Sequence, residues 1–397
     1  MNTEFLLYCR AGYEVDTLNE IDYLLSLTNA YGFGKVIKHS GFIRYEVLSA
    51  AKKSAQSNSS SNKPTMLETS QYLPPFEHLI FARQKLLVLG DIVFNDTNDR
   101  IADVLHFLLE LAEQNTLGRM YFGDVYIEYP DTEIAKPIAG FCKKFTVPVR
   151  NVLRKHNYLS KKQNALLPYL HLMFEQGDKC IVGVSMPNDR SIHLLGVHRL
   201  KFPAKAPSRS TLKLEEAMKT FCNLKQQSAL FHQGMSAVDL GACPGGWTYQ
   251  LVTRGIRVEA VDNGKMDESL LETGLVDYAP ADGFLYRPKD GHVDWLVCDM
   301  IEQPDRVAKL MLEWLKLGLC SAAIFNLKLP MKQRYMALRP LIDEFESFRH
   351  HEGQQIIMHA KHLYHNRDEV SFFIIKNSVM CAEFVALQEH YAQSARI

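Results

Sequence analysis

Residues 237–248, Ala-Val-Asp-Leu-Gly-Ala-Cys-Pro-Gly-Gly-Trp-Thr, constrain the fold more than any other segment of the chain. The apolar start of this segment, ending at Asp239, predicts the first strand of a doubly wound sheet. The glycine pair after Pro244 then turns the chain into a helix that begins near Trp247. Glycines at such a turn let a ligand lie against backbone N–H groups, and the helix N-terminus favours an anionic group.

The glycine spacing differs from the Gly-x-Gly-x-x-Gly pattern of dinucleotide sites, which hold a pyrophosphate. A ligand with a carboxylate and no pyrophosphate fits this turn better. In this respect the segment resembles the cofactor loop of S-adenosylmethionine-dependent methyltransferases.

Length and charge set the wider limits. A chain of 397 residues is long enough for two or three domains. Lysine plus arginine and aspartate plus glutamate both number 45, so the net charge indicates no partner. The distribution is uneven, because residues 134–174 and 190–214 contain no acidic side chain. These basic segments are either a surface for an anionic polymer or ordinary solvated faces, and charge alone leaves both open.

Cysteine usage and hydropathy indicate the compartment. The 8 cysteines are scattered and form no Cys-x-x-Cys pair, which argues against a zinc site or a disulfide framework and suits a reducing cytoplasm. Residues 1–14 lack the features of a signal peptide, and no stretch approaches the roughly 18 apolar residues of a membrane span. We therefore expect a cytoplasmic protein with no membrane segment and no bound metal.

The order of predicted elements divides the chain into α/β units. Two small α+β units are expected over 1–92 and 93–200, with a strand near 193–197 in the second. Residues 52–63, rich in serine and asparagine, predict a disordered loop, and 201–209, with two prolines, predict a linker. From 210 to 397, strands alternating with helices predict a mainly parallel, Rossmann-like sheet with helices on both faces.

Polar residues follow several strands of this last unit, where open α/β sheets bind their ligands. They are Asp262, Asp282, Asp299 and Lys328, and a fifth polar residue, Glu369, opens the last predicted strand pair. Taken singly, an acid after a strand is often a helix cap or a turn residue. A lysine directly after a strongly apolar strand is less routine, because its charge lies close to buried surface.

From about Phe202 to Lys376 the chain resembles the FtsJ-like ribose 2′-O-methyltransferases, which use a Lys-Asp-Lys-Glu tetrad. Lys213, in Ser-Arg-Ser-Thr-Leu-Lys-Leu, matches the first lysine of that tetrad. Asp299, Lys328 and Glu369 match the other three in family order. The likeness extends over most of the chain toward the members that methylate a cytidine ribose of large-subunit (23S) ribosomal RNA. Segments such as Phe-Asn-Leu-Lys-Leu-Pro-Met-Lys and Leu-Leu-Tyr-Cys-Arg-Ala-Gly-Tyr-Glu carry that closer resemblance.

The resemblance implies a class I methyltransferase domain over 210–397, a ferredoxin-like domain over 1–92 and an RNA-binding THUMP domain over 93–200. It implies S-adenosylmethionine as the cofactor and ribosomal RNA as the partner; separately, we expect a monomer. It also implies Lys328 as the proton acceptor. The implied cofactor contacts are Ser210, Cys243, Pro244, Gly245, Gly246, Asp262, Asp282 and Asp299.

The chemistry agrees with these roles. A ribose 2′-hydroxyl must lose its proton as its oxygen attacks a sulfonium methyl group, and an uncharged lysine is able to accept it. Repulsion from Lys213 and desolvation favour the uncharged amine of Lys328, whereas Asp299 and Glu369 favour the charged form. Alignment of oxygen, methyl carbon and sulfur supplies much of the remaining catalysis.

Several residues admit a second interpretation. Cys243, at a glycine turn, is either a nucleophile or a small residue packed near the cofactor, and we favour packing. His359, His362 and His365 have a spacing loosely compatible with a metal, but we favour a solvated or RNA-facing segment. The candidate RNA contacts are Lys143, Lys144, Arg150, Arg154, Lys155, Lys201 and Arg209.

Two other functions compete with RNA ribose methylation. An NAD-dependent oxidoreductase fits the glycine turn and Asp262, but not the missing Gly-x-Gly-x-x-Gly pattern or the two lysines and two acids at strand ends. A non-catalytic RNA-binding or assembly protein fits the basic segments, although the intact tetrad speaks against it.

Overall fold

The structure is a computed structural model, and it describes residues 3–28, 30–49, 66–94, 96, 99–114, 120–351 and 355–394. The chain divides into two compact units, Met1–Val197 and His198–Ile397. The loop predicted over 52–63 lies outside the described residues.

The first unit is built on one seven-stranded sheet. Its strands are β1 (Thr3–Tyr8), β2 (Tyr31–Val36), β3 (Phe42–Ser49), β4 (Gln84–Val93), β5 (Asp124–Glu128), β6 (Tyr169–Gln176) and β7 (Lys179–Ser185). Its α-helices are α1 (Glu14–Ser26), α2 (Met66–Ser70), α3 (Arg100–Glu113) and α4 (Ala139–Lys155). The strand order is β2-β3-β1-β4-β7-β6-β5, and only the β5–β6 pair is parallel.

The first four strands of this sheet have a ferredoxin-like arrangement. They follow the chain order β1-α1-β2-β3-α2-β4, and β1 lies between β3 and β4, antiparallel to both. Alternate residues of β1, including Phe5 and Leu7, face the buried core that the helices cover. The predicted ferredoxin-like domain is therefore confirmed. Because β4 also pairs with β7, the two predicted α+β units share one sheet, and the THUMP assignment and the boundary at residue 92 stay predictions.

The strand predicted near 193–197 is wrong. Residues Leu194–Gly196 form one turn of 3-10 helix, in which Leu195 has a φ of 60°. The buried carboxylate of Glu128 accepts the backbone N–H of Leu195 at 2.6 Å. A Cβ atom on Gly196 would lie 2.1 Å from the carbonyl oxygen of Arg83, so only glycine lets the two backbones approach this closely.

The second unit contains a second seven-stranded sheet. Its strands are β8 (Ser236–Leu240), β9 (Arg257–Val261), β10 (Val276–Ala279), β11 (Val293–Cys298), β12 (Cys320–Lys328), β13 (Ile357–Lys361) and β14 (Glu369–Ile375). Its helices are α5 (Thr211–Phe221), α6 (Leu224–Leu230), α7 (Gly246–Val252), α8 (Glu268–Leu271), α9 (Pro304–Leu317), α10 (Arg334–His351) and α11 (Ser378–Ser394).

The strand order of this sheet is β10-β9-β8-β11-β12-β14-β13, which confirms the predicted Rossmann-like architecture. The pairs from β10 to β12 are parallel, and β14 runs antiparallel between β12 and β13. The apolar runs of β11 and β12 are almost fully buried, as expected for central strands covered on both faces. The order of the strands reverses between β8 and β11, so their carboxyl ends flank the expected ligand crevice.

No helix in the ranges described above is long and apolar enough to cross a membrane.

A buried polar network lies in the first unit. The carboxylate of Glu128 accepts the hydroxyl of Tyr8 and the Nδ1–H of His171, each at 2.8 Å, in addition to the N–H of Leu195. The other ring nitrogen of His171 bonds the hydroxyl of Ser185 at 2.8 Å. One carboxylate therefore joins β1, β5 and β6 to the turn that ends the unit.

Replacing Glu128 by alanine should remove the hydrogen-bond acceptor of three buried donors, those of Tyr8, His171 and Leu195. Each unsatisfied donor costs about 1–3 kcal/mol, so we expect the unfolding free energy of the first unit to fall by about 3–5 kcal/mol. Hydrogen exchange of the β5–β7 amides measures this loss. Glu133→Ala, at an exposed position of the same unit, is the control. Equal amide protection in both variants would contradict the prediction.

Candidate functional site

A glycine turn joins β8 to α7 at the crevice. Gly245 has a φ of 117°, and a Cβ atom there would lie 2.3 Å from Leu270 Cδ1. On Gly246 a Cβ would lie 2.1 Å from the hydroxyl oxygen of Ser210. Both positions therefore require glycine, and Pro244 before them is exposed at the crevice. Gly245 and Gly246 are themselves buried, and this turn at the start of α7 is called the cradle below.

Asp239 lies beneath the cradle and is fully buried. One carboxylate oxygen accepts the hydroxyl of Thr248 at 2.7 Å, and the other has no hydrogen-bond partner in the described structure. Burial raises the pKa of Asp239 to about 7, and the nearby carboxylate of Asp299 adds to the rise. Asp239 is therefore a buried acid beneath the cradle, with one oxygen that is able to accept a further hydrogen bond.

The acids predicted after the next strands also lie along this edge. Asp262 follows β9, and its two carboxylate oxygens accept the N–H of Cys243 at 2.9 Å and of Gly264 at 2.8 Å. Asp262 thus fastens the glycine turn to the end of the neighbouring strand. Asp282 is exposed and accepts only the N–H of Phe284 through its side chain, among the hydrogen bonds of the described residues. Both carboxylates keep lone pairs for hydroxyl or amino groups of a ligand.

Three members of the predicted tetrad form one cluster. The ammonium of Lys213, in the first turn of α5, donates to both carboxylate oxygens of Asp299 at 3.1 Å and to Glu369 at 3.3 Å. All three side chains are less than a fifth exposed. Burial raises the pKa of Asp299 above its ordinary value, whereas Lys213 works in the opposite direction. Glu369 is further held by the N–H of Arg367 at 2.6 Å.

Lys328, the fourth member, lies beside this cluster. It is the last residue of β12 and is the register partner of Glu369, the first residue of β14. Its side chain is exposed, and it makes no hydrogen bond or ion pair with any described residue. The carboxylates of the cluster are bound to Lys213, so the Lys328 amine is available to a ligand in the crevice.

Two buried residues that support the tetrad escaped sequence reasoning. The amide of Asn326 donates to Asp299 at 2.8 Å. Glu216, on the helix that carries Lys213, accepts the backbone N–H groups of Tyr364 and His365 just before β14. A signal existed for Asn326, since it is polar within an apolar strand, two residues before Lys328. Glu216 lies among other charged residues of its helix, so the sequence contains no signal that distinguishes it.

The candidate RNA contacts are distributed over the surfaces of both units. Lys143, Lys144 and Lys155 are exposed on α4 of the first unit. On the same helix the guanidinium of Arg150 pairs with Asp124 at 3.0 Å, and that of Arg154 donates to the Ser160 carbonyl. Lys201 and Arg209 are exposed in the second unit. Arg150 is thus partly engaged within the fold.

Neither cysteine nor histidine chemistry is supported. Desolvation raises the pKa of Cys243 to about 11, which disfavours a thiolate nucleophile. The three histidines have separate surroundings: His359 stacks near Phe221, and His365 bonds Glu216. His362 is buried, so the expectation of a solvated segment is wrong there. Within the described ranges no three His, Cys, Asp or Glu side chains come together as a metal site.

Comparison with protein families matches three parts of the chain. Residues 1–86 match the RlmM ferredoxin-like domain, and residues 99–186 match the N-terminal region of ribosomal RNA large subunit methyltransferase M. Residues 206–329 match the FtsJ-like methyltransferase family. The last match contains the glycine turn and three of the four tetrad positions.

Whole-chain relatives carry the same name. Ribosomal RNA large subunit methyltransferase M of Alteromonas mediterranea is 45% identical over 95% of this chain and 98% of its own length. The protein of that name from Psychromonas ingrahamii is 43% identical over 93% of this chain and 95% of its own length. Among solved structures, TrmN from Thermus thermophilus covers 94% of this chain and is itself 99% covered, with 13% identity and a TM-score of 0.32, too low to support an argument.

Replacing Asp239 by asparagine should change how stability depends on pH. The folded state, with a pKa of about 7, holds a proton that the unfolded carboxyl loses above its ordinary value of 3.8. The wild-type unfolding free energy should therefore fall as pH rises from 4 to 7, at about 1.4 kcal/mol per pKa unit, and this contribution should be constant above 7. The stability of the Asp239→Asn variant relative to wild type should rise over the same window.

Urea unfolding followed by tryptophan fluorescence measures this difference, because Trp247, Trp295 and Trp314 all lie in the second unit. Asp305→Asn, at an exposed position of α9, is the control. Parallel curves of unfolding free energy against pH for wild type and Asp239→Asn would refute the assignment.

Proposed function

The chain belongs to the ribosomal RNA large subunit methyltransferase M family, and from that premise we propose that it methylates the ribose 2′-oxygen of a cytidine in large-subunit ribosomal RNA. The methyl donor is S-adenosylmethionine, and Lys328 accepts the proton. The observation that carries the proposal is the pairing within the tetrad. Lys213 binds both carboxylates, and Lys328 has no partner among the described residues.

The residues present fit S-adenosylmethionine. The turn at Gly245 and Gly246 lies at the start of α7, where backbone N–H groups favour a carboxylate-bearing ligand, and its exposed residue is Pro244. We assign Asp262, one strand away, to the ribose hydroxyls and Asp282 to the adenine amino group. Ser210 packs on Gly246 and bonds Ser208 at 3.1 Å, which places its hydroxyl at the same cradle. The bound cofactor supplies an electrophilic methyl carbon on a sulfonium centre.

The side chains of the tetrad then have distinct tasks. Lys328 takes the proton of the ribose 2′-hydroxyl at its Nζ as the oxygen becomes nucleophilic. A lysine is able to do so only while it is uncharged. Lys213 offsets one of the two negative charges of Asp299 and Glu369 and fixes the positions of both carboxylates. The cluster holds Glu369, and the backbone of Lys328 is fixed beside Glu369 at the end of β12, which favours alignment.

The basic surface of α4 suits the RNA. Lys143, Lys144 and Lys155 project from a helix in a segment without acidic residues, so phosphates meet no opposing charge from that segment. Lys201 and Arg209 add exposed cations in the second unit. We assign the THUMP domain, 93–200, to RNA positioning, and we place a monomeric enzyme in the cytoplasm, where its RNA is found.

The two alternative functions differ from methyl transfer in the cofactor that they require. An oxidoreductase needs a nicotinamide cofactor, and a binding protein needs none. Transfer of tritium from labelled S-adenosylmethionine into ribosomal RNA separates both from a methyltransferase. Resistance of the modified linkage to alkaline cleavage then shows that the 2′-oxygen, rather than a base, is methylated.

Replacing Lys328 by alanine should remove the proton acceptor and leave the cofactor cradle intact. We expect the rate of methyl transfer to fall about 10²- to 10⁴-fold, as for the loss of a general base. The Kd for S-adenosylmethionine should change by less than about threefold, a change worth under 1 kcal/mol. Single-turnover transfer and calorimetry measure the two quantities. Lys332→Ala, exposed and four residues further on, is the matched control. Near-wild-type transfer by Lys328→Ala would exclude the general-base role.

Removing two cations from α4 should weaken RNA binding in a salt-dependent way. For the double variant Lys143→Ala, Lys144→Ala we expect the slope of log K against log salt to flatten by about 1.5, the value for two lost phosphate contacts. A filter-binding titration with ribosomal RNA at several salt concentrations measures it. The pair Lys309→Ala, Lys316→Ala on α9 removes equal charge elsewhere. Equal slopes for the two double variants would show that α4 does not bind the RNA.

A further inference from the structure

We infer that Asn326 is a positioning residue for methyl transfer, holding Asp299 in place through a buried chain of uncharged hydrogen bonds. The inference rests on the proposed function, because it concerns the same tetrad. Asn326 is 2% exposed, and its amide group donates to Asp299 Oδ1 at 2.8 Å. It lies behind the tetrad and acts on the reaction through Asp299.

The chain of hydrogen bonds continues away from Asp299. The hydroxyl of Ser371 donates to the amide oxygen of Asn326 at 2.6 Å. The amide group of Asn366 in turn donates to the Ser371 hydroxyl oxygen at 2.9 Å and to the carbonyl oxygen of Glu369 at 3.1 Å. Ser371 and Asn366 are both fully buried. The chain therefore connects Asp299 to the backbone of Glu369, the other acid of the tetrad.

The direction of these bonds is fixed. Asp299 is a carboxylate and only accepts, so the NH₂ group of Asn326 must face it. The amide oxygen of Asn326 then faces Ser371, whose hydroxyl donates to it and accepts from Asn366. Each donor points toward Asp299, and neighbouring hydrogen bonds of this kind polarise one another. If an acceptor replaced the NH₂ group of Asn326, it would face the carboxylate of Asp299 without a proton between them, and the contact would become repulsive.

Strand register places this chain directly behind the tetrad. Asn326 pairs with Ser371 across β12 and β14, and Lys328 pairs with Glu369 two residues further along. Residues two apart on a strand share a face, so the two pairs are consecutive on one face of the sheet. Asp299, just after β11, is therefore tied to Lys328 through Asn326, which is two residues before Lys328 on the neighbouring strand β12.

The charged groups near Asp299 come from every neighbouring element. Lys213 on α5 contacts it, Glu369 on β14 shares that lysine, and Asp239 on β8 interacts with it through space. Lys328 is on β12 itself. Asn326 is the neutral donor in this group, and it holds one oxygen of Asp299 without adding a charge.

Two alanine variants, Asn326→Ala and Ser371→Ala, test the positioning role. Asn326→Ala should lower kcat about 10- to 100-fold, because a misplaced catalytic group costs about that much. Its Kd for ribosomal RNA should stay within about threefold of wild type. Ser371→Ala, which frees the Asn326 amide to turn, should lower kcat about threefold to tenfold. Ser321→Ala, buried at the other end of β12, is the control and should match wild type.

The near-isosteric variant Asn326→Asp gives a readout that a structural role would not produce. It places a second carboxyl group against Asp299, and two such groups share one proton at low pH and repel each other when both ionise. The ratio of its kcat to that of wild type should fall about tenfold as pH rises from about 6 to 9. A simply destabilised protein would show a parallel profile once corrected for the folded fraction.

The outcomes are separable. Wild-type kcat in Asn326→Ala and Ser371→Ala, or a pH profile of Asn326→Asp parallel to wild type, overturns the positioning role. If Asn326→Ala does not fold, Asn326→Asp and Ser371→Ala decide. A wild-type protein that transfers no methyl group to ribosomal RNA refutes the proposed function instead, before any variant is compared.

Discussion

The site depends on the ion pairs of Lys213, whose side chain is mostly shielded from solvent. A charge removed from water is tolerated only when it is paired and hydrogen-bonded, and here two carboxylates from different strands supply the partners. The same contact joins α5 to the end of β11 and the start of β14. Because Asp299 and Glu369 bind this one cation, Lys328 has no partner among the described residues. The pairing thus separates a lysine bound within the fold from Lys328, the proposed proton acceptor.

The sheet explains how four distant residues reach one place. Parallel strands end at a common edge, which brings Asp299 after β11 close to Lys328 at the end of β12. Glu369 is the first residue of its strand and reaches that edge only because β14 runs antiparallel. Glu216 adds a second tie between α5 and the segment before β14, through Tyr364 and His365. The inverted strand is therefore a requirement of the site.

Much of the fold and of the site was predictable, and the failures share a cause. Strongly apolar strands and the glycine turn have local signals, so β8, β11 and β12 and the residues after them were placed correctly along the chain. Leu194–Gly196 has an apolar composition typical of a strand, but Glu128 and the backbone of Arg83 hold it as a 3-10 turn. His362 was expected to be solvated and is buried. In each case the deciding partner is distant in sequence.

The sequence by itself determined the architecture of the second unit, the ligand turn at Gly245 and Gly246, and the residue types available for chemistry. These follow from periodicity, from backbone freedom and from the positions of polar residues at strand ends, all of which are local. Only the tertiary structure decided that Lys213 takes both carboxylates, that Lys328 takes neither, and that Asn326 supports Asp299 from behind. The physical reason is that hydrogen bonds between side chains on different elements depend on strand register and helix packing, which no local pattern encodes.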